Sequence, residues 1–302
     1  MAPTRAIQGQ ATKLSRTIHG LDYDAVNDEI VAPVYEGGAI LVFRGGANGE
    51  EEPIRTIQGD KTMLLGPQTA VVDAKNNEIF TGDPSTGSIL VFDRMANGNV
   101  APKRVLRGPK TGLREVVGVA IDTKRNLLLA SSKNVLREMT GVLIFDRTAE
   151  GDTPPLRVIG GNETGIGRSR QITVDVERGK IYLGVQSTNY HAERPYLETM
   201  PRKDYSWEQR RDEGTKYRSL PSWSNDSKGF VGVWDVMDNG NVPPRAVIKG
   251  VLSRIVDCGG VVVDPKEGIV ISADGGQSNM YHVYLVPQFF TDSYWERKQA
   301  EP

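Results

Sequence analysis

Short apolar runs separated by turn sequences recur along the whole chain. Residues 78–81 (Glu-Ile-Phe-Thr) and residues 88–92 (Ser-Ile-Leu-Val-Phe) are typical runs, and Asn-Gly, Gly-Gly and Pro sequences separate such runs from one another. Alternating or continuous branched and aromatic residues between turns of this kind predict short β-strands joined by hairpins. The pattern therefore favours a fold of many short strands over one of long helices.

The predicted strands form a repeat that two landmarks define. The aspartate that ends the first strand of each unit lies at Asp24, Asp73, Asp122, Asp175 and Asp264. The glycine that closes each Pro-x-Arg-x-Ile-x-Gly segment or its variant lies at Gly9, Gly59, Gly108, Gly161 and Gly250. Four strands in a period of about 50 residues are typical of a propeller blade. We therefore predict an all-β fold, a five-bladed β-propeller, in which residues 1–302 form a single domain.

The two ends of the repeat predict how the ring closes. Residues 3–9 carry a Pro-x-Arg-x-Ile-x-Gly segment with no blade before it. The last unit lacks this fourth strand, because a polar C-terminal tail, residues 287–302, follows its apolar run. We therefore predict that the N-terminal strand closes the last blade, which pairs two sheet edges that would otherwise invite association.

Residues that recur in every blade are expected to support the blade. The landmark aspartates are expected to accept hydrogen bonds from backbone N–H groups of the turns that follow them. The arginines that repeat in the outer strands are expected to lie on the solvated rim; they are Arg5, Arg55, Arg104 and Arg157.

The repeated Val-Phe-Asp-Arg-x-Ala-x-Gly and Pro-x-Arg-x-Ile-x-Gly segments resemble those of the NHL-type and gluconolactonase-like β-propellers. The resemblance covers almost all of the chain outside one insertion. It implies a propeller with a binding site around the channel mouth, on the face that carries the blade-to-blade connections. It implies no particular reaction, because such folds carry many unrelated functions.

Composition and charge narrow the partners. The chain is 38% hydrophobic and 25% charged, as expected for a soluble globular protein. Its 37 Lys+Arg and 38 Asp+Glu residues give a net charge of −1, so we expect neither nucleic acid nor a membrane as a partner. A single cysteine leaves the redox compartment open. Localisation and oligomeric state also stay open, and a secreted or periplasmic location requires the removal of a signal peptide.

Two insertions break the symmetry of the repeat. A small one lies at residues 133–140 of blade 3, and a large one lies at residues 187–228 of blade 4. Both fall between the second and third strands of their blades, so we expect the larger one to form a lid beside the channel mouth. Its aromatic residues, Tyr190 among them, form either a ligand platform or the small core of the loop itself.

Four residues whose side chains could bind a metal ion or transfer a proton map to the same face as the lid. They are His19, His191, His282 and Cys258. Imidazole and thiolate are preferred ligands of zinc, copper and iron, and histidine is the usual acid or base near neutral pH. Two interpretations stay open: these residues hold a transition metal ion, or they are polar residues satisfied within the fold.

Charged residues at the entry of the inner strands add a second candidate. Arg168 and Arg170 present paired donors that suit a carboxylate or phosphate, although pairing with Glu115 alone is the alternative. The candidate catalytic residues are His19, Glu115, Arg170, Tyr190 and His191. We predict an enzyme, a hydrolase, lyase or oxidoreductase, that acts on a small organic and anionic substrate at the channel mouth. The alternative is a non-catalytic propeller that binds a protein or carbohydrate through its upper face.

Overall fold

The computed structural model describes residues 3–15, 18–133, 141–186, 229–255, 257–274 and 280–300. Five antiparallel sheets form the blades, which confirms the predicted all-β, five-bladed propeller. Each blade is a meander, because strands that follow one another in the chain are neighbours in the sheet. The first strands of successive blades, from blade 1 to blade 5, contact one another, so they line the channel.

The blades have the following strands. Blade 1 contains β1 (Asp22–Asp24), β2 (Glu29–Val34), β3 (Ala39–Arg44) and β4 (Arg55–Gln58); blade 2 contains β5 (Thr69–Asp73), β6 (Glu78–Asp83), β7 (Ser88–Asp93) and β8 (Arg104–Leu106). Blade 3 contains β9 (Glu115–Asp122), β10 (Leu127–Lys133), β11 (Gly141–Asp146) and β12 (Arg157–Gly160); blade 4 contains β13 (Arg168–Asp175), β14 (Lys180–Gln186), β15 (Phe230–Asp235) and β16 (Ala246–Ile248). Blade 5 contains β17 (Cys258–Asp264), β18 (Ile269–Asp274) and β19 (Met280–Leu285).

Helical structure is limited in the described part of the chain. Short 3-10 turns follow the outer strands, at Gln10–Thr12, Asp60–Thr62, Pro109–Thr111, Asn162–Thr164 and Val251–Ser253. A further 3-10 turn, Pro287–Phe290, leads into the helix α1 (Asp292–Ala300). None of the helices described is long and apolar enough to cross a membrane.

Apolar side chains from facing sheets fill the seams between blades. The seam of blades 1 and 2 contains Val31, Ile79 and Phe92, and the corresponding clusters join blades 2 to 3, 3 to 4 and 4 to 5. Phe289, Phe290 and Trp295 complete the last of these seams. Part of the segment that the sequence predicts to be a polar tail is therefore packed against the core.

The prediction for the landmark aspartates is confirmed, whereas that for two of the repeated arginines is wrong. The Asp24 carboxylate accepts hydrogen bonds from the backbone N–H groups of Val26 and Asn27, and the other landmark aspartates cap their turns in the same way. The placement of Arg55 and Arg104 on the solvated rim is wrong. Their guanidinium groups form two-pronged ion pairs with glutamates of the second strands, and their side chains are only 10% and 16% exposed.

In the part of the chain that the structure describes, the predicted pairing of the N-terminal strand with blade 5 is not found. Within the described residues the sheet of blade 5 has three strands, and β19 forms its edge. Residues 3–9 lie against blade 1, where Ile7 forms a parallel bridge with Gly49. The outer strands of blades 1, 2 and 3 form the same bridge with the next blade, through Ile57 and Gly98, Leu106 and Gly151, and Ile159 and Gly240. Residues 3–9 thus occupy an outer-strand position ahead of blade 1 without pairing with β19.

Candidate functional site at the channel mouth

Bulges interrupt the first strands of blades 3, 4 and 5 at the same end of the channel. The extra residues are Val117 in β9, Arg170 and Gln171 in β13, and Gly259 in β17. A bulge bends the strand and re-aims its side chains, and bulges are frequent next to binding sites. In blade 4 the bulge therefore sets the direction of two polar side chains at the channel mouth.

Gln171 links blades around the channel. Its Nε2 donates a hydrogen bond of 2.9 Å to the carbonyl oxygen of Val117 in blade 3. Its amide also lies against blade 1, because a Cβ added to Gly20 would be 2.8 Å from the Oε1 of Gln171. The bulge of blade 4 is thus fixed by contacts with two other blades, and the side chain beside it is held in place.

Arg170 lies half-buried among charged groups from three blades. Burial, together with the positive charge of Arg168, lowers the pKa of the Arg170 guanidinium, whereas Asp257 and Glu115 act to raise it. Arginine nonetheless stays protonated in proteins. Among the described residues, the Nε of Arg170 is buried and has no hydrogen-bond partner. The channel mouth therefore contains a partly desolvated guanidinium group whose Nε–H is available as a hydrogen-bond donor.

Two further carboxamides are buried, Gln68 just ahead of β5 and Gln186 at the end of β14. The Oε1 atoms of Gln68 and Gln186 have no hydrogen-bond partner in the part of the chain that the structure describes. Gln186 lies opposite Arg168 across β13 and β14 and bridges to Asp257 of blade 5. Buried polar atoms are normally hydrogen-bonded, so a cluster of such atoms marks a place that a ligand or water would complete.

Blade 5 adds two carboxylates and a histidine next to the mouth. The Oδ1 of Asp274 accepts a hydrogen bond of 3.1 Å from the backbone N–H of Asp257. The Oδ2 of Asp274 lies 4.0 Å from the Nε2 of His282. Asp274 and Asp257 are only 3% and 7% exposed. Asp274 therefore fixes the backbone of Asp257 and faces the imidazole of the neighbouring strand.

The described members of the predicted metal set do not form a metal centre. His19 is exposed on blade 1, where its ring meets Tyr35 edge-on at 6.4 Å, whereas His282 and Cys258 lie on blade 5. No group of three or more His, Cys, Asp or Glu side chains suited to a metal ion occurs among the residues described. Tyr190 and His191 lie outside the described residues, so their predicted roles stay predictions.

Cys258 is a buried thiol of the seam between blades 4 and 5. Its Sγ lies 3.4 Å from the carbonyl oxygen of Gly260, and its side chain is fully buried. Burial raises the pKa of the thiol to about 12. A nucleophile must be the thiolate, so the raised pKa and the burial of Cys258 do not suit a nucleophile at neutral pH.

The thiol of Cys258 is expected to resist modification in the native protein. At pH 8, dithionitrobenzoate should release almost no chromophore until denaturant is added, after which one thiol per chain reacts. Burial and the raised pKa both suppress the reactive thiolate. Rapid reaction in the absence of denaturant would show that the seam of blades 4 and 5 is open to solvent.

Sequence reasoning identified Glu115, Arg168 and Arg170 at this mouth and missed the roles of Gln171, Gln186 and Asp257. One signal was present for Gln171: the first strand of blade 4 begins Arg-Ser-Arg-Gln, whereas that of blade 3 begins Glu-Val-Val-Gly. Polar residues at positions that are apolar in the neighbouring blade indicate a strand that contributes to a functional site as well as to packing. The contribution of Gln186 and Asp257 depends on how blades 4 and 5 meet, which the repeat alone does not specify.

The site is thus defined by Glu115, Arg168, Arg170, Gln186 and Asp257, contributed by blades 3, 4 and 5. No protein-family model matches the chain, and no curated protein matches it.

Proposed function

We propose that the protein is an enzyme that acts on a small organic anion, held by its carboxylate or phosphate group at the channel mouth. Arg170 carries this proposal. Its guanidinium is half-buried, a bulge aims it, and within the described residues its Nε has no hydrogen-bond partner. Hydrogen bonds between guanidinium and an oxyanion are strong, and low exposure to water strengthens them further.

The charges around Arg170 favour a bound anion. Arg168 and Arg170 repel each other, which contributes to the lowered pKa of Arg170. An oxyanion between the two cations would relieve this repulsion and raise that pKa. Glu115 and Asp257 formally balance the charges of Arg168 and Arg170, so we expect affinity for one anionic group that reaches the two guanidinium groups rather than for a polyanion.

The same carboxylates are the candidates for the chemical step. Glu115 of blade 3 and Asp257 of blade 5 act electrostatically on Arg170, so both carboxylates are candidates for a role beside a substrate held by Arg170. A carboxylate positioned beside a bound substrate acts as a general acid or base. Proton transfer of this kind suits a lyase or a hydrolase. The proposal assigns no metal ion to His19, His282 and Cys258, because among the described residues they lie on blades 1 and 5 and form no common group of ligands.

We also infer that the repeat is of the NHL-type or gluconolactonase-like kind. The Val-Phe-Asp-Arg segment supplies the end of β7, and its counterparts end β11 and β15. The Pro-x-Arg-x-Ile-x-Gly segments and their variants supply the outer strands. Both motifs therefore have the same structural place in successive blades, which supports the resemblance.

Changing Arg170 to methionine is expected to weaken anion binding by about tenfold to a hundredfold, the value of a charged hydrogen bond. Isothermal titration with inorganic phosphate, sulfate, succinate and citrate measures it. Methionine keeps much of the side-chain volume and removes the charge. Arg114→Met is the matched control, because Arg114 lies exposed in the connection just ahead of β9 and should leave the affinity unchanged.

Two results would contradict the proposal: no binding of these anions at millimolar concentration, or equal affinity in the wild type and in Arg170→Met. Binding of an oligosaccharide or a protein in the absence of anion binding would favour the non-catalytic alternative.

A further inference from the structure

As far as the described residues show, the ring of blades is open between blades 5 and 1. Packed apolar clusters join every other pair of neighbouring blades, whereas among the described residues no comparable contact joins blade 5 to blade 1. Alternate residues of β19 expose their apolar side chains on the outward face of blade 5: Tyr281 by 79%, Val283 by 63% and Leu285 by 73%. On blade 1, Leu21 and Tyr23 are 59% and 52% exposed. Two apolar sheet faces thus border one gap.

The side of the gap formed by blade 1 is a seam that lacks one wall. A cavity of ≈ 860 Å³ lies there, and its apolar lining includes Ile7, Leu14, Ile30 and Phe43. In the neighbouring seam the corresponding space is filled, and side chains such as Ile79 have no exposed surface. Exposed apolar patches rimmed by polar residues mark interaction sites.

The N-terminal segment shows what is missing from the gap. In blades 1 to 4 the fourth strand of the meander pairs with the third, as β4 pairs with β3. Residues 3–9 carry the same motif and form the same bridge to the next blade, through Ile7 and Gly49. In the described structure, no third strand pairs with them. Among the described residues, they form an outer strand for which none of the described sheets supplies the three inner strands.

Closure of the gap by blade 5 itself would be costly. The four formed seams contain side chains with no exposed surface, including Val31, Ile89, Leu128 and Val231. Narrowing the gap requires the blades to rotate against one another, so each of these seams would have to repack. Packed interiors resist such changes, because they are as dense as crystals of small molecules.

We propose that the gap between blades 5 and 1 is the docking site for a sixth blade. The partner is a three-stranded antiparallel β-meander, apolar on both faces, that pairs with residues 3–9 and packs between β19 and blade 1. Its two apolar faces match the two exposed faces that border the gap. This surface is separate from the channel-mouth site, so the proposal does not depend on the anion.

The test supplies such a meander from the chain itself. A copy of residues 66–101, which carry β5, β6 and β7, is inserted directly before Pro3, so that residues 3–9 follow it as Pro102–Gly108 follow the original. The full chain with this insertion is expected to unfold at a higher temperature than the parent and to bind less of an apolar dye. Amide exchange in β19 and β2 should also slow.

The matched control carries Ile79→Asp and Ile89→Asp in the inserted copy only, which places one charge on each of its two apolar faces. It should behave like the parent. An insertion variant with the melting temperature, dye binding and amide exchange of the parent would overturn the proposal.

A second variant tests whether residues 3–9 pair with β19, so that blade 5 itself closes the ring. If residues 3–9 paired with β19 in the register of β4 with β3, Ala6 would lie opposite His282, as Thr56 lies opposite Leu41. In a Cys258→Ser background, the pair Ala6→Cys and His282→Cys is expected to stay reduced under mild oxidation. A disulfide within one chain would show that blade 5 closes the ring, and one between two chains would show that a second copy fills the gap. Either result overturns the proposal.

Discussion

Replacing Glu78 with alanine is expected to lower the free energy of unfolding by about 3–5 kcal/mol, the typical cost of breaking a buried ion pair by removing one partner. Glu78 is 4% exposed. Its carboxylate accepts hydrogen bonds from Arg104 of its own blade and, at 2.7 Å, from Arg147 of the next blade. Alanine would leave two guanidinium groups with little access to water and without this counter-charge. Urea denaturation at neutral pH measures the loss.

The control for Glu78 is an ion pair at the surface. Glu51 pairs with Arg44, and their side chains are 28% and 55% exposed. Glu51→Ala is therefore expected to leave the urea midpoint almost unchanged, because exposed ion pairs contribute little to stability. Equal losses for Glu78→Ala and Glu51→Ala would contradict the role of Glu78 as the buried link between blades 2 and 3.

The ion pairs of Glu78 also predict how the stability of the protein depends on pH. The hydrogen bonds from Arg104 are the main cause that lowers the pKa of Glu78 from 4.5 to about 2. Because the folded value lies below the unfolded value, the stabilisation is present above pH 4.5 and is lost as the pH falls towards about 2. The wild type should lose stability steeply across this range. Glu78→Gln should lose less, since it has no carboxylate to protonate there.

Changing Trp234 to alanine is expected to lower the free energy of unfolding by about 3–5 kcal/mol, as large-to-small substitutions of buried aromatic residues do. Trp234 has no exposed surface and fills the seam between blades 3 and 4. The indole fits because residue 232 is glycine: a Cβ there would lie 2.4 Å from the ring. At the matching places blade 2 has Phe92 and Leu90.

Gly232 and Trp234 should therefore behave as one packing unit. Gly232→Leu alone drives a side chain into the indole and is expected to be strongly destabilising, because overpacking typically costs about 1–3 kcal/mol and sometimes more. The double variant Gly232→Leu with Trp234→Phe recreates the pair of blade 2 and should be more stable than Gly232→Leu. A double-mutant cycle in chemical denaturation measures the coupling. Additive effects would contradict this packing.

The blades could be predicted because each is specified by local chemistry. Asp24 and its counterparts cap the short turn between the first two strands, residues 25–28 in blade 1, and Gly98 adopts a positive φ of 79° within an Asn-Gly turn. The state of the ring between blades 5 and 1 could not be predicted in this way. It depends on the summed rotation across four seams, for which no short segment carries a signal.

The burial of Arg55 and Arg104 could have been predicted from the repeat. Glu29 precedes Arg55 by the same interval as Glu78 precedes Arg104. A recurring pair of opposite charges at one spacing predicts a contact, whereas a recurring arginine taken alone predicts only a common position. Blades 3 and 4 lack this glutamate, since Leu127 and Lys180 occupy its place.

The candidate site could be predicted in part. Glu115 and Arg170 were expected at one channel mouth, and they interact there. Cys258 lies on the same blade edge but points into a seam, where it packs with Val231 and Val270. Assigning a residue to one end of a propeller does not settle whether its side chain faces the channel or the neighbouring blade. That depends on strand alternation, which the bulges of β13 and β17 change locally.

The most direct test of the anion site is a crystal structure of the protein soaked in selenate, with anomalous data collected at the selenium edge. A peak at the channel mouth, with oxygens within hydrogen-bond distance of the Arg170 guanidinium and close to Arg168, is the predicted result. The absence of a peak at the channel mouth, with Arg170 donating its hydrogen bonds to Glu115 and Asp257, would contradict the proposed anion site.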